Sequence, residues 1–192
     1  MQGKVGRRPI TPELMKIIKL QLKKMKMRMS RKRVIWLCST LCWAGTFRIH
    51  EILSRHKNEF DPTSTLLLKD VSKAVVKVNG ETYNCLKIKI KHPKEEKLPS
   101  GIIIDIFEVK GEGNWMCPVK AWNDWMKDKA VVLSSMKPAI RLADGSNYTG
   151  TQFNSDLKNL LKNQVDYKKG SITAHSFRAG LATFMSQEDM RK

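Results

Sequence analysis

The stretch AVVKVNGETYNCLKIKIK, residues 74–91, decides the fold class. Asn79-Gly80 is the pair selected by a two-residue hairpin, whose tight turn needs positive φ at both central positions. Further on, Leu86, Ile88 and Ile90 alternate with Lys87, Lys89 and Lys91, so one side of that strand packs and the other faces water. Working outward, four short strands are expected: Leu66–Val71, Ala74–Val78, Leu86–Lys91 and Ile102–Val109. His92-Pro93 closes the third, and Lys94-Glu95-Glu96-Lys97 forms the charged tip of a second hairpin.

On either side of this segment the apolar period becomes helical. Thr11-Pro12-Glu13 is a helix start: a hydroxyl cap, proline at the first helical position and an acid facing the positive end of the dipole. Leu14, Ile18, Leu22, Met25 and Met29 then form one apolar stripe. A second helix is expected over Arg31–Ala44, capped by Ser30, apolar nearly all round and therefore central. Gly45 ends it, and Thr46 caps a short third helix with Arg48 in its first turn. Helices resume after Cys117-Pro118, where Val119, Trp122 and Met126 repeat, and again after Thr151, a cap for Phe153, Leu157, Leu160 and Leu161. Thr173 caps the last helix, placing His175 and Arg178 in its opening turn on one face, with Phe177, Leu181 and Phe184 buried on another. The expected fold is mainly α with a small antiparallel β-sheet (α+β): a basic arm over residues 1–10, then one domain over residues 11–192.

Charge narrows the function. The chain's 192 residues hold 36 Lys and Arg against 18 Asp and Glu, a net +18 that points to a polyanionic partner. The excess is greatest in the first 33 residues, where Glu13 is the single acid. Lys16, Lys19, Lys23 and Lys26 fall opposite the apolar stripe of the first helix, with Arg7, Arg8, Arg31, Lys32 and Arg33 flanking it. The pattern fits a face that tracks a phosphate backbone; it also fits a solvated surface. Val34–Leu37 and Ile102–Ile104, the longest apolar runs, are far short of the roughly 20 residues that span a bilayer, so no membrane partner is expected. The N-terminus lacks the apolar segment of a secretory signal, and an intracellular location is expected. Cys38, Cys42, Cys85 and Cys117 form no Cys-x-x-Cys pair and have no histidine at zinc spacing, so they read as free thiols. No compact cluster of Asp, Glu and His suggests a metal nuclease, and no metal or cofactor is expected.

Two segments carry a resemblance. Trp43-Ala44-Gly45-Thr46-Phe47-Arg48-Ile49-His50-Glu51-Ile52-Leu53 and Thr173-Ala174-His175-Ser176-Phe177-Arg178-Ala179-Gly180-Leu181-Ala182-Thr183 resemble the two arginine boxes of the tyrosine recombinase (phage integrase) family, in order and with a lysine-bearing hairpin between them. Arg8-Pro9-Ile10-Thr11, Ile90-Lys91-His92-Pro93 and Cys117-Pro118-Val119-Lys120-Ala121 look most like the eukaryotic mobile-element branch, the DIRS-like retrotransposons and Cryptons. The resemblance spans residues 7–188.

It implies that Arg48 and Arg178 are the two catalytic arginines that clamp the scissile phosphate, and that His175 bonds or protonates the same group. Lys91 would protonate the leaving 5′ oxygen, with Lys89 and Lys94 as rivals, because sequence does not set the hairpin register. Glu51 matches the family's acidic position and would orient Arg48. The implied partner is double-stranded DNA, joined by other protomers, in a nucleus; the implied reaction is cleavage and rejoining through a 3′-phosphotyrosyl link, without metal or nucleotide. The family's nucleophilic tyrosine follows the second arginine. Here Tyr83, Tyr148 and Tyr167 all precede Arg178 and read as packing or surface residues. Three expectations remain open: a domain truncated before its tyrosine, a tyrosine supplied in trans, or a transposon-derived protein that only binds DNA. RNA binding by a basic helical module is a further reading, though no aromatic RNA-binding box supports it.

Overall fold

The computed structural model describes residues 8–91, 101–127, 134–163 and 172–189. Among the described residues, six α-helices surround one core, with a three-stranded antiparallel sheet to one side in the order β1-β2-β3. The tip of the second hairpin, with His92 and Lys94, lies outside the described residues, as do Arg7 and Tyr167.

Helix α1 (Pro12–Lys24) begins as its sequence dictates: Thr11 Oγ1 accepts the Leu14 N–H at 3.3 Å, and Pro12 occupies the first turn. Backbone N–H groups at this start hold the Glu13 carboxyl below its ordinary pKa, with help from Thr11. Leu14, Ile18 and Leu22 are buried and Met25 half-buried, but Met29 leaves the stripe and is 60 % exposed, because it opens the next helix. Helix α2 (Met29–Ala44) starts earlier than expected, so Ser30 sits inside its first turn rather than capping it. It is the central element, packing against α4 (Pro118–Met126) and α6 (Ala174–Asp189). Its buried hydroxyls turn back onto their own helix: Ser39 donates to Ile35 O and Thr40 to Leu37 O, so neither hydroxyl is stranded in the core. Cys38 and Cys42 are fully buried on it as free thiols, and desolvation drives both thiol pKa values up.

The hairpin forms where its turn signal lies. β1 (Val71–Val78) pairs with β2 (Glu81–Ile90) through Val78 opposite Glu81, and Asn79 and Gly80 take φ of 52° and 82°. β3 (Ile102–Phe107) pairs with the far side of β2. Leu86, Ile88 and Ile90 reach the core as the alternation predicts. The strand bounds need correction: β1 opens at Val71 rather than Ala74, and β2 runs from Glu81, not Leu86, and stops at Ile90, one residue before Lys91. Leu66–Asp70 is no strand, and Val71 instead opens β1: Leu68–Asp70 is a turn of 3-10 helix, stabilised by the Asp70 carboxylate accepting the Leu67 N–H at 2.8 Å. β3 stops at Phe107, two residues before Val109. Helix α5 (Gly150–Leu161) is capped by Thr149 rather than Thr151, because Thr149 and Gln152 bond one another reciprocally across the first turn.

The last residue of the expected arm belongs to the core. Ile10 is buried, and its N–H donates to Ser176 O on α6 at 2.9 Å. This contact requires Gly180: a Cβ there would collide with the Ile10 carbonyl and with the Trp43 ring. Gly180→Ala is therefore expected to cost about 1–3 kcal/mol and lower the melting temperature by roughly 2–12 °C, measured by calorimetry. An unchanged melting temperature would show that this strap is not part of the folded core. Phe184, expected to bury, is 40 % exposed and only tilts against Trp43, since α6 runs past the edge of the core there.

Candidate phosphate-binding site

Three helix starts meet on one side of the molecule. Helix α3 (Ile49–Ile52) is a single turn, and Arg48 precedes it in extended backbone, capping it rather than standing within it. The expected Thr46 cap is displaced because Thr46 takes a left-handed φ of 51° in the turn after α2. Glu51 fixes Arg48 at both ends: Oε2 accepts its backbone N–H at 2.7 Å, and Oε1 pairs with its guanidinium at 3.2 Å. A planar fork held this way faces one fixed direction, which matters for recognising a tetrahedral anion.

The start of α6 is fixed from a different helix. Asn154 on α5 accepts the Ala174 N–H at 2.8 Å, while Ser176 Oγ accepts the Thr173 N–H. Thr173 occupies the capping position, but the capping oxygen comes from Asn154. In turn, α5 is tied to the α3 loop by the bridge between Ser54 and Thr149 and by Ile49 lying against Gly150. His175 is exposed in the first turn of α6; Arg178, half-buried and engaged in contacts of its own, follows in the second turn.

Arg48, His50, Asn154, Thr173 and His175 line one cavity of about 380 Å³. The two boxes, separated in sequence by the whole sheet, thus contribute to a single wall. Arg178 is one turn from His175 along α6 but is not among the lining residues. His50 and Asn154 were not singled out from sequence. His50 had a signal, being inside the first box, whereas nothing local marks an asparagine that caps a distant helix.

A second cavity, about 310 Å³, shares His50 and continues along Glu51, Leu53, Arg55, Thr65 and Ile90. Lys91 stands just past Ile90 and is held: its ammonium donates to Pro62 O at 2.7 Å and Thr65 O at 2.9 Å, and pairs with Asp70 at 2.7 Å. An ammonium has three N–H donors, so these acceptors use all of them. In this conformation Lys91 clamps the 62–70 loop to β2. Lys89 is exposed on the outward face of the sheet, and Lys94 lies outside the described residues.

The basic face of α1 is less uniform than its spacing suggests. Lys16, Lys23 and Lys26 are exposed. Lys19 turns inward, donating to Trp115 O at 2.6 Å with its ammonium over the Trp36 ring and near the Trp115 ring. Burial lowers its pKa, helped by the neighbouring charges of Lys23 and Lys120. Arg31 is likewise diverted, forming a two-pronged pair with the Asp156 carboxylate at 3.1 and 3.2 Å. Both are expected from sequence on a DNA-facing surface, and both are held by aromatic or acidic partners on other elements. Lys32 and Arg33 are half-buried beside Lys23 and Trp36 in a separate cavity between α1, α2 and α4, and Arg8 is half-buried.

Neither described tyrosine faces the Arg48 cavity. Tyr83 donates to Glu81 at 2.8 Å, and buried Tyr148 donates to Asp156 at 2.6 Å. Burial drives the Tyr148 pKa above the ordinary phenol range; the Glu81 bond raises that of Tyr83. Among the described residues, no three His, Cys, Asp or Glu side chains converge to hold a metal ion.

No protein-family model and no curated protein matches the chain. Among solved structures it is similar to the XerH site-specific recombinase bound to its difH substrate in a pre-cleavage complex, with a TM-score of 0.55 and 16 % identity over 98 % of this chain and 45 % of that one. A post-cleavage complex of XerH with palindromic difH gives a TM-score of 0.56 and 16 % identity over 95 % of this chain and 42 % of that one. The chain spans less than half the length of these recombinases. The mainly helical fold with a small antiparallel sheet, expected from the hydrophobic periodicity and turn signals, is that of the tyrosine recombinase catalytic domain, as the two arginine boxes imply.

Proposed function

We propose that the chain binds double-stranded DNA and supplies the phosphate-activating part of a tyrosine recombinase. The observation that carries this reading is the convergence of Arg48, locked by Glu51, and His175 on one cavity within a recombinase fold. Phosphoryl transfer spreads negative charge over the non-bridging oxygens, and preorganised guanidinium groups stabilise that charge. Arg48 and Arg178 act as the clamp, and His175 donates a hydrogen bond to the same phosphate. In the full reaction a tyrosine oxygen bonds to phosphorus, the bond to the 5′ oxygen breaks, and a proton from the hairpin lysine completes the leaving hydroxyl. Lys91 fills that role only after leaving Asp70 and its two carbonyl partners; Lys89 and Lys94 are the alternatives. The tyrosine is supplied by another protomer on the same DNA. The mobile-element origin, the DIRS-like or Crypton-like branch and the nuclear location belong to this proposal on the strength of the sequence boxes.

A second reading, DNA binding without catalysis in a transposon-derived protein, is favoured by the three bonds that occupy Lys91 and by the internal partners of Tyr83 and Tyr148. Both readings require duplex binding dominated by phosphate contacts. Titration against salt is expected to give a log–log slope of about −5 or steeper, equivalent to roughly six contacts. Affinity that does not change with salt would contradict both.

A further inference from the structure

The segment from Arg48 to Phe60 lines three cavities in succession. The first holds Arg48, His50 and His175; the second begins at the shared His50 and holds Arg55. The third, about 310 Å³, is lined by Lys57, Asn58 and Phe60 from this segment and by Lys137, Arg141 and Asn147 from the facing loop. Backbone bonds fix the two loops together: the Asn147 N–H donates to Lys57 O at 2.9 Å, and its side-chain amide donates to His56 O and Glu59 O.

The charge along this line is predominantly positive. Arg141 is 93 % buried at the back of the third cavity, while Lys57 and Lys137 are exposed at its front, Lys137 lying over the Phe60 ring. The acids nearby are engaged or stand aside. Glu51 holds Arg48; Asp144 lines the third cavity, where it accepts both the N–H and the hydroxyl of Ser146 and its charge faces Lys57, leaving three cations against one acid there; and exposed Glu59 lines none of the three cavities.

We infer that the third cavity, lined by Lys57, Lys137 and Arg141, binds a backbone phosphate of the same duplex, away from the phosphate held at Arg48, so that the 48–60 segment forms a phosphate track leading out from the cleavage position. This rests on the proposed recombinase reading for the identity of the duplex and for the phosphate at Arg48. The track adds affinity and register rather than chemistry, since phosphate contacts position a duplex without reading its sequence. Its cations come from loop residues outside the basic N-terminal helix, so the contribution is separable from that of Lys16 and Lys23.

The test is duplex binding by the full chain carrying Lys57→Glu and Lys137→Glu, both exposed positions. A circular dichroism spectrum and melting temperature equal to those of the parent establish that the variant is folded. The expected result is at least a tenfold loss of affinity, a salt slope shallower by about 2, and an unchanged rate of phosphoryl transfer at saturating DNA. The milder Lys57→Gln/Lys137→Gln variant should show the same change in slope. Parent-like affinity and slope in both variants would overturn the track while leaving the Arg48 site standing. If the slope instead responds to these substitutions but not to loss of Arg48 and Arg178, the duplex docks on the loops alone, and it is the recombinase reading that fails.

Discussion

Replacing Arg48 or Arg178 with alanine lowers phosphoryl transfer about 10²–10³-fold at saturating DNA, the usual loss when one preorganised donor to a developing oxyanion is removed. The reaction that isolates this effect uses a duplex with sulfur in place of the bridging 5′ oxygen at one position, and a small phenol as nucleophile. The phenol oxygen bonds to phosphorus and the phosphorus–sulfur bond breaks. The thiolate leaves without needing a proton, so neither the position of Lys91 nor the source of the tyrosine enters the result. Arg48→Lys keeps the charge but loses the fork and should recover only part of the rate. Glu51→Gln retains an acceptor for the Arg48 N–H but loses the ion pair, so it should fall between the parent and Arg48→Ala. A parent rate no faster than buffer, or equal rates in parent and variants, would remove Arg48 and Arg178 from the clamp.

Asp156→Ala has the largest expected effect on stability. Asp156 is nearly buried and accepts from both Arg31 and Tyr148, so its loss leaves a cation and a fully buried hydroxyl without their acceptor. Breaking a buried pair costs 3–5 kcal/mol. Because the Arg31 side chain is about one-third exposed and water can partly replace its partner, about 3 kcal/mol is expected. For a chain of this length that is a fall of roughly 6–12 °C in melting temperature. Tyr148→Phe removes one charge-assisted hydrogen bond but leaves the Arg31 pair, and should cost about half as much. Arg31→Ala should lower the melting temperature with little change in DNA affinity. The reverse pattern would return Arg31 to the DNA-facing surface.

The parts of the fold set by local chemistry were legible in the sequence. Thr11-Pro12-Glu13 starts α1, Asn79-Gly80 turns the hairpin, and Leu86, Ile88 and Ile90 set the buried face of the sheet, because each signal acts within a few residues. Interactions between distant elements account for most of what was not legible. Lys19 and Arg31 share a helical pattern with Lys16 and Lys23, and only the approach of Trp115 and Asp156 separates them. Asn154 caps α6 across 20 residues, and Lys91 looks like one more lysine on an alternating strand until Asp70 and two loop carbonyls surround it. At the candidate site, the boxes named Arg48, Glu51 and His175. The convergence of Arg48 and His175 on one cavity, with Glu51 holding Arg48, depends on the bridge from Ser54 to Thr149 and on the Asn154 cap, which join α3, α5 and α6.

The difference in salt slope between the parent chain and the Arg48→Gln/Arg178→Gln variant, measured on the same duplex, tests most directly whether these arginines contact a DNA phosphate. Each phosphate contact contributes about 0.9 to the slope, so the account predicts that the variant is shallower by about 2 and remains folded, with a melting temperature lowered by loss of the Arg48–Glu51 pair. Identical slopes in a folded variant would mean that neither arginine touches a phosphate, and the proposed site would be wrong.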